Sequence, residues 1–153
     1  MRKIAVVLVA ILIGITILIV SLCALHNVTI DNFSHTGYNS PVGVAWNYGF
    51  TLNFTNRGLT DANNLTLTFN TDSPYQIERE IAVFDSAPPH YYAETILMGE
   101  PYSLGSIKAG ETKEFVGEIW NTVADGAKIR GYTFSATLES NNLVLDQATI
   151  MIP

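Results

Sequence analysis

The stretch Ile4 to Leu25, IAVVLVAILIGITILIVSLCAL, constrains this chain more than any other, because it runs 22 residues without a charge. As an α-helix rising about 1.5 Å per residue it is long enough to cross the roughly 30 Å hydrocarbon core of a bilayer. Fifteen of its residues are Leu, Ile or Val. Each contributes on the order of −0.3 to −0.6 kcal/mol near the middle of a membrane helix, so insertion is favourable by several kcal/mol. A lone strand in lipid leaves its backbone N–H and C=O groups unpaired, and the helix wins despite the β-branched content. Arg2 and Lys3 precede the stretch, and the first acidic residue beyond it is Asp31. The positive-inside rule therefore puts Met1 in the cytoplasm and residues 26 to 153 outside, a single-pass protein of the cell membrane.

Two other fates of such an N-terminus make distinguishable demands. A cleaved secretory signal has an apolar region of about 7 to 15 residues, well short of this one, although Ser21, Cys23 and Ala24 are small enough to suit a peptidase. A pilin-like filament subunit needs a small residue after the basic pair and, in many pilins, a Glu early in the helix; Arg2-Lys3-Ile4-Ala5 fits poorly and that Glu is missing. Lipidation of Cys23 is disfavoured by Leu22 before it, so Cys23 reads as an ordinary apolar residue near the outer end of the helix. The expected organisation is a short tip and signal-anchor helix over 1 to 25, then one extracytoplasmic domain over 26 to 153.

Beyond residue 25 six basic residues face fourteen Asp and Glu, a net charge of minus eight. Nucleic acid and anionic headgroups both need a positive surface, so neither is an expected partner. About 128 residues suffice for one domain with its own core, and because this part has no Cys it must hold by packing rather than by disulfides.

Its pattern is period two with short punctuation, the signature of an all-β sandwich. Residues 48 to 55 (YGFTLNFT) set Phe50, Leu52 and Phe54 against Thr51, Asn53 and Thr55. Residues 62 to 70 (ANNLTLTFN) set Leu65, Leu67 and Phe69 against Asn64, Thr66 and Thr68. Further strands are expected over 27–33, 76–84, 102–107, 112–120, 132–139 and 143–152, with Asn141-Asn142 as a tight hairpin. In 112–120, Phe115 and Ile119 oppose Glu114, Val116, Glu118 and Trp120. The segment from Asp85 to Pro101, with Pro88, Pro89, Gly99 and Pro101, reads as a long surface loop or irregular edge. Seven to eight strands in about 120 residues is an immunoglobulin-like count, here preceded by a single N-terminal transmembrane α-helix.

The run Phe54-Thr-Asn56-Arg-Gly58, then Ala62-Asn-Asn-Leu65-Thr-Leu67, and later Leu104-Gly105-Ser-Ile107-Lys-Ala-Gly110-Glu111, resembles the N-x-G…A-x-N-V-x-V…L-G-S-L-x-P-G-E pattern of CARDB-type (cell-adhesion-related) and other immunoglobulin-like domains of prokaryotic surface proteins. The likeness spans roughly residues 44 to 152. It implies an immunoglobulin-like fold in which the motif is structural, and a spacer, adhesion or interaction module rather than an enzyme. Ala109 stands where the pattern commonly has Pro, and the 85–101 segment is longer than in compact members.

Nothing in the residues points to catalysis. His26, His35 and His90 lack the HxxH and HExxH spacings of metal sites and read as surface histidines in loops. No Ser sits in a G-x-S-x-G turn and no glycine-rich phosphate loop follows a strand. Glu78, Glu80 and Asp85 read as a solvated strand edge. No cofactor, metal or catalytic residue is expected.

Two sets of residues carry functional expectations. Four Asn-X-Ser/Thr sequons, at Asn27, Asn32, Asn53 and Asn64, all fall outside the membrane and are possible glycosylation sites. Tyr75, Phe84, Tyr91 and Tyr92 around the Pro-rich segment form the expected interaction surface, since tyrosine offers large contact area at low entropic cost. The expected partners are the lipid bilayer, through Ile4 to Leu25, and another surface protein or glycan.

Overall fold

A computed structural model of the chain describes residues 8–9, 11–15, 27–39, 46–73, 80–85, 92–121 and 131–152. Residues 8–9 and 11–15 are helical, with their apolar side chains exposed. Among the described residues no helix is long and apolar enough to cross a membrane. The rest of Ile4 to Leu25 lies outside them.

Nine strands follow: β1 (Val28–Asn39), β2 (Trp46–Asn56), β3 (Ala62–Thr71), β4 (Glu80–Phe84), β5 (Tyr92–Leu97), β6 (Tyr102–Ile107), β7 (Thr112–Asn121), β8 (Thr133–Ser140) and β9 (Leu143–Met151). They build two antiparallel sheets, β1-β2-β7-β4-β5 and β6-β3-β8-β9, so the domain is an all-β sandwich. Odd-numbered strands run one way and even-numbered strands the other. The start of β1 and the β2–β3, β6–β7 and β8–β9 turns therefore gather at one end, the base. The opposite end is the crown.

The alternation puts the expected residues inside. Phe50, Leu52 and Phe54 of β2 are all buried, and so in the opposite sheet are Leu65, Leu67 and Phe69 of β3 and Phe134, Ala136 and Leu138 of its neighbour β8. At the centre Phe50, Phe69 and Phe134 meet with ring centroids 5.0–5.3 Å apart, and the Phe69 and Phe134 planes lie within 10° of parallel. Phe50 pairs across the ladder with Gly117, where an added Cβ would stand 2.5 Å from the Phe50 ring. Gly117 is thus the space that the ring fills.

The motif residues stitch the base. Asn56 is fully buried: its Nδ2 donates to Thr60 O (2.9 Å) and Ile107 O (3.0 Å), and its Oδ1 accepts from Gly58 N (2.9 Å). Its backbone binds the β6–β7 turn through Glu111 O and Gly110 N. Gly110, at φ +75°, supplies the left-handed position this turn requires. Asp61 Oδ1 accepts from Ala109 N and Glu111 Oε2 from Lys108 N. Asn141 and Asn142, at φ +50° and +64°, close the β8–β9 hairpin in the geometry a two-residue type I′ turn needs.

Several expectations are corrected. The described residues hold nine strands rather than seven or eight, because the segment read as loop or irregular edge over 85–101 contains β5. Only Ile96 is buried within that strand, so an edge strand with one inward anchor left almost no period-two signal. β1 continues to Asn39 rather than stopping at 33, since bulges between Ile30 and Asn32 and between His35 and Gly37 absorb the residues that break its alternation. Of 76–84 only Glu80–Phe84 is a described strand; 76–79 lie outside the described residues. His35 is not in a loop: it sits half-buried on β1, stacked on Tyr48 at 4.5 Å. His26 and His90 lie outside the described residues. Glu80 and Asp85 are exposed as expected of solvated acids, but β4 lies between β7 and β5 and is not an edge strand. Glu78 lies outside the described residues.

Candidate interaction edge

Each side of the sandwich ends in a pair of edge strands, β1 with β9 on one side and β5 with β6 on the other. Phe84 and Tyr92, two of the four expected interaction residues, lie on the second side. They pair across the β4–β5 ladder with rings edge to face, centroids 6.3 Å apart. Ala93 is the extra residue of a bulge, since Val83 pairs Glu94 while Phe84 pairs Tyr92. This bulge turns Tyr92 to the outer face, where it is 53% exposed and its hydroxyl bonds Thr95 Oγ1 at 2.7 Å. Tyr75 and Tyr91 lie outside the described residues.

Glu94, exposed at the rim beside this bulge, reaches the other sheet, where its Oε1 accepts a 2.9 Å hydrogen bond from the Tyr102 hydroxyl. Burial and the neighbouring Glu94 carboxylate push the Tyr102 phenol up to about 12, so it stays a neutral donor. Its ring packs edge-on against Phe115 at 5.8 Å.

Among the described residues the ladder from β4 to β7 ends at Phe84, and a cleft of about 340 Å³ lies beside it between the sheets. Phe54, Phe115 and Ile107 form its floor, while Asp85, Ser103, Lys113 and Glu114 line it with polar groups. Lys113 Nζ also donates to Ser106 O at 2.6 Å. A pocket of this size, apolar within and polar at its mouth, suits a small group or a side chain of a partner. Among the described residues no three His, Cys, Asp or Glu side chains come together as a metal site.

The sequence did not single out Glu94, Tyr102 or Lys113. They come from strands of both sheets, and no spacing within one strand brings them together. The only local sign was Pro101-Tyr102 at the end of a Pro-rich segment.

The four sequons sit in different settings. Asn27 and Asn32 are exposed, the latter donating to Ser34 Oγ at 3.2 Å. Asn53 is half-buried on a central strand, flanked by Asn32 and Glu114. Asn64 was expected on a regular polar face; it stands instead at φ +53° in a bulge of β3, exposed, with Nδ2 donating to Asn141 Oδ1 at 3.1 Å.

No family model matches the chain, and no curated protein matches it in sequence. Among solved structures, a calcium-binding mutant of Bacteroides uniformis beta-glucuronidase 2 is similar to it, with a TM-score of 0.51, 18% identity, and 80% of this chain and 14% of that chain covered. A beta-glucuronidase from glycoside hydrolase family 2 reaches 0.42 at 11% identity over 80% and 12% of the two chains. The sporulation control protein Spo0M of Bacillus subtilis reaches 0.34 at 7% identity over 84% and 49%. The chain spans about one seventh of the first of these, and what the likeness shows is the fold, a β-sandwich.

Proposed function

We propose that this chain is a membrane-anchored, cell-surface β-sandwich that works as a structural or interaction module, binding another surface protein or glycan rather than catalysing a reaction. The strand order supports an immunoglobulin-like reading. Sheets β1-β2-β7-β4 and β3-β8-β9 follow the A-B-E-D and C-F-G arrangement, with β5 and β6 added at one side. The CARDB-type likeness belongs to the same proposal, since the residues that carry it, Asn56, Gly110 and Glu111, are engaged in holding the base together. Ile4 to Leu25 supplies the anchor.

The observation that carries the interaction reading is the β5–β6 edge, where the exposed Tyr92 and the half-buried Phe84 adjoin an apolar-floored cleft. Aromatic faces of this kind stack on sugar rings and fill pockets on proteins. The test uses full-length chain in lipid nanodiscs, applied to a glycan array and to isolated cell envelopes. The expected result is binding that Phe84→Ala or Tyr92→Ala reduces severalfold while Met151→Ala, exposed elsewhere, leaves it unchanged. Binding indifferent to both aromatic substitutions would contradict the assignment.

A further inference from the structure

From the base of the sandwich we infer that this end docks on the bilayer itself, with Leu59, Leu143 and Val144 inserted at the headgroup level. The inference rests on the anchor reading of Ile4 to Leu25 and adds to it an orientation for the domain.

The chain reaches the sandwich at the base. Asn27 O accepts a 2.7 Å bond from Arg57 N in the β2–β3 turn, and Val28 just beyond is buried. Only His26 separates Asn27 from the apolar stretch. Two residues of extended chain span at most about 7 Å. That is about the thickness of one headgroup layer, roughly 5–7 Å by the difference between whole bilayer and hydrocarbon core. With Leu25 at the edge of the hydrocarbon, the turn bonded to Asn27 has no room to stand clear of the lipid.

The base is built for that position. Of the six large apolar side chains exposed on the described sandwich, Leu59 (82%), Leu143 (61%) and Val144 (55%) lie here, the others being Tyr92, Leu97 and Met151. Leu59 is in the β2–β3 turn, and Leu143 and Val144 open β9 directly after the Asn141-Asn142 hairpin. The turns are tied into one platform: Asn64 Nδ2 to Asn141 Oδ1, Ser140 Oγ to Asn63 O, and Ala109 N to Asp61 Oδ1. Arg57 and Lys108 stand there with Asp31, Asp61 and Glu111, a balance that gives no strong attraction to anionic lipid. The contact is therefore apolar and insensitive to salt, unlike a basic-patch interaction.

The test places an environment-sensitive fluorophore at single cysteines, Leu59→Cys, Leu143→Cys or Met151→Cys, in full-length chain carrying Cys23→Ser and reconstituted in phosphatidylcholine vesicles. Nitroxide-labelled phosphatidylcholine is expected to quench positions 59 and 143 severalfold more than position 151, equally in low and high salt. Chain that floats with the vesicles but shows water-like emission at all three positions overturns the docking and leaves the anchor standing. Emission shielded at 59 and 143 yet unquenched by the nitroxide lipid means that protein covers the base, and also overturns it. Chain that fails to float overturns the anchor reading and the docking together.

Discussion

The two sides of the sandwich meet the same problem, a gap between sheets bordered by unpaired strand edges, and meet it differently. On the β1/β9 side, Asp146 points inward from β9 and its Oδ2 accepts the Ile30 N–H at 2.8 Å, at the bulge where β1 leaves its register with β2. A backbone donor is satisfied by a carboxylate from the opposite sheet, and the strands pack together. On the β5/β6 side the crossing bond is between two side chains, Glu94 and Tyr102, and below it the sheets part around the cleft. A carboxylate bridges the two sheets in both places, half-buried at Asp146 and exposed at Glu94. Among the described residues a cleft lies on the β5/β6 side, beside the half-buried Phe84 and the exposed Tyr92.

The difference between the sides vanishes at the centre, which both share. Phe50→Ala removes the ring that touches both halves of the core and is expected to cost about 3–5 kcal/mol, lowering thermal stability and loosening both sides alike. Next comes the base. Asn56→Ala removes the partners of Gly58 N and Ile107 O in a buried site, and calorimetry or denaturant unfolding should register a loss of about 2–4 kcal/mol.

Single-side changes sharpen it. Asp146→Ala leaves the Ile30 N–H without its carboxylate and is expected to cost about 1–3 kcal/mol, against about 0.5–1 kcal/mol for Tyr102→Phe, because the first orphans a backbone donor and the second only a side-chain pair. Equal costs in a matched unfolding series would remove the distinction between the sides.

The smallest effects are in pH. The Arg57 guanidinium, with the Thr55 and Thr29 hydroxyls, holds the Asp31 carboxyl down to about 2 against an ordinary 3.8. Its contribution is complete above about pH 4 and is lost as the pH falls towards 2. Asp72 is also lowered, mainly by the Thr133 N–H, and acts in the same direction. Tyr102 acts oppositely: with a folded value raised to about 12, its contribution is complete below pH 10 and is lost as the pH climbs through 12. Acid is thus expected to weaken the β1 side and alkali the β6 side. Asp31→Asn should flatten the acid limb of a melting-temperature profile and Tyr102→Phe the alkaline limb.

How much of this was legible in the sequence depended on how each residue is held. β2, β8 and β3 from Leu65 onward have one face on the core and one on water, and their side chains alternate there, so Phe50, Leu67 and Phe134 declared themselves. β5 did not, because a strand at the rim needs only Ile96 inside. The motif around Asn56 was visible as a pattern, and its meaning became clear only when the turn it completes was seen to join two turns 50 residues apart. Phe84 and Tyr92 were marked by composition. Glu94 and Tyr102 were not, since their pairing depends on a bulge at Ala93 and on which strands face each other across the gap.

The most direct measurement of the difference between the sides is residue-resolved amide hydrogen exchange on the full chain in nanodiscs. Ile30 is expected to exchange only with global unfolding, while the hydrogen-bonded amides of β5 exchange through local opening at least about tenfold faster. β5 amides protected as well as Ile30 would contradict it.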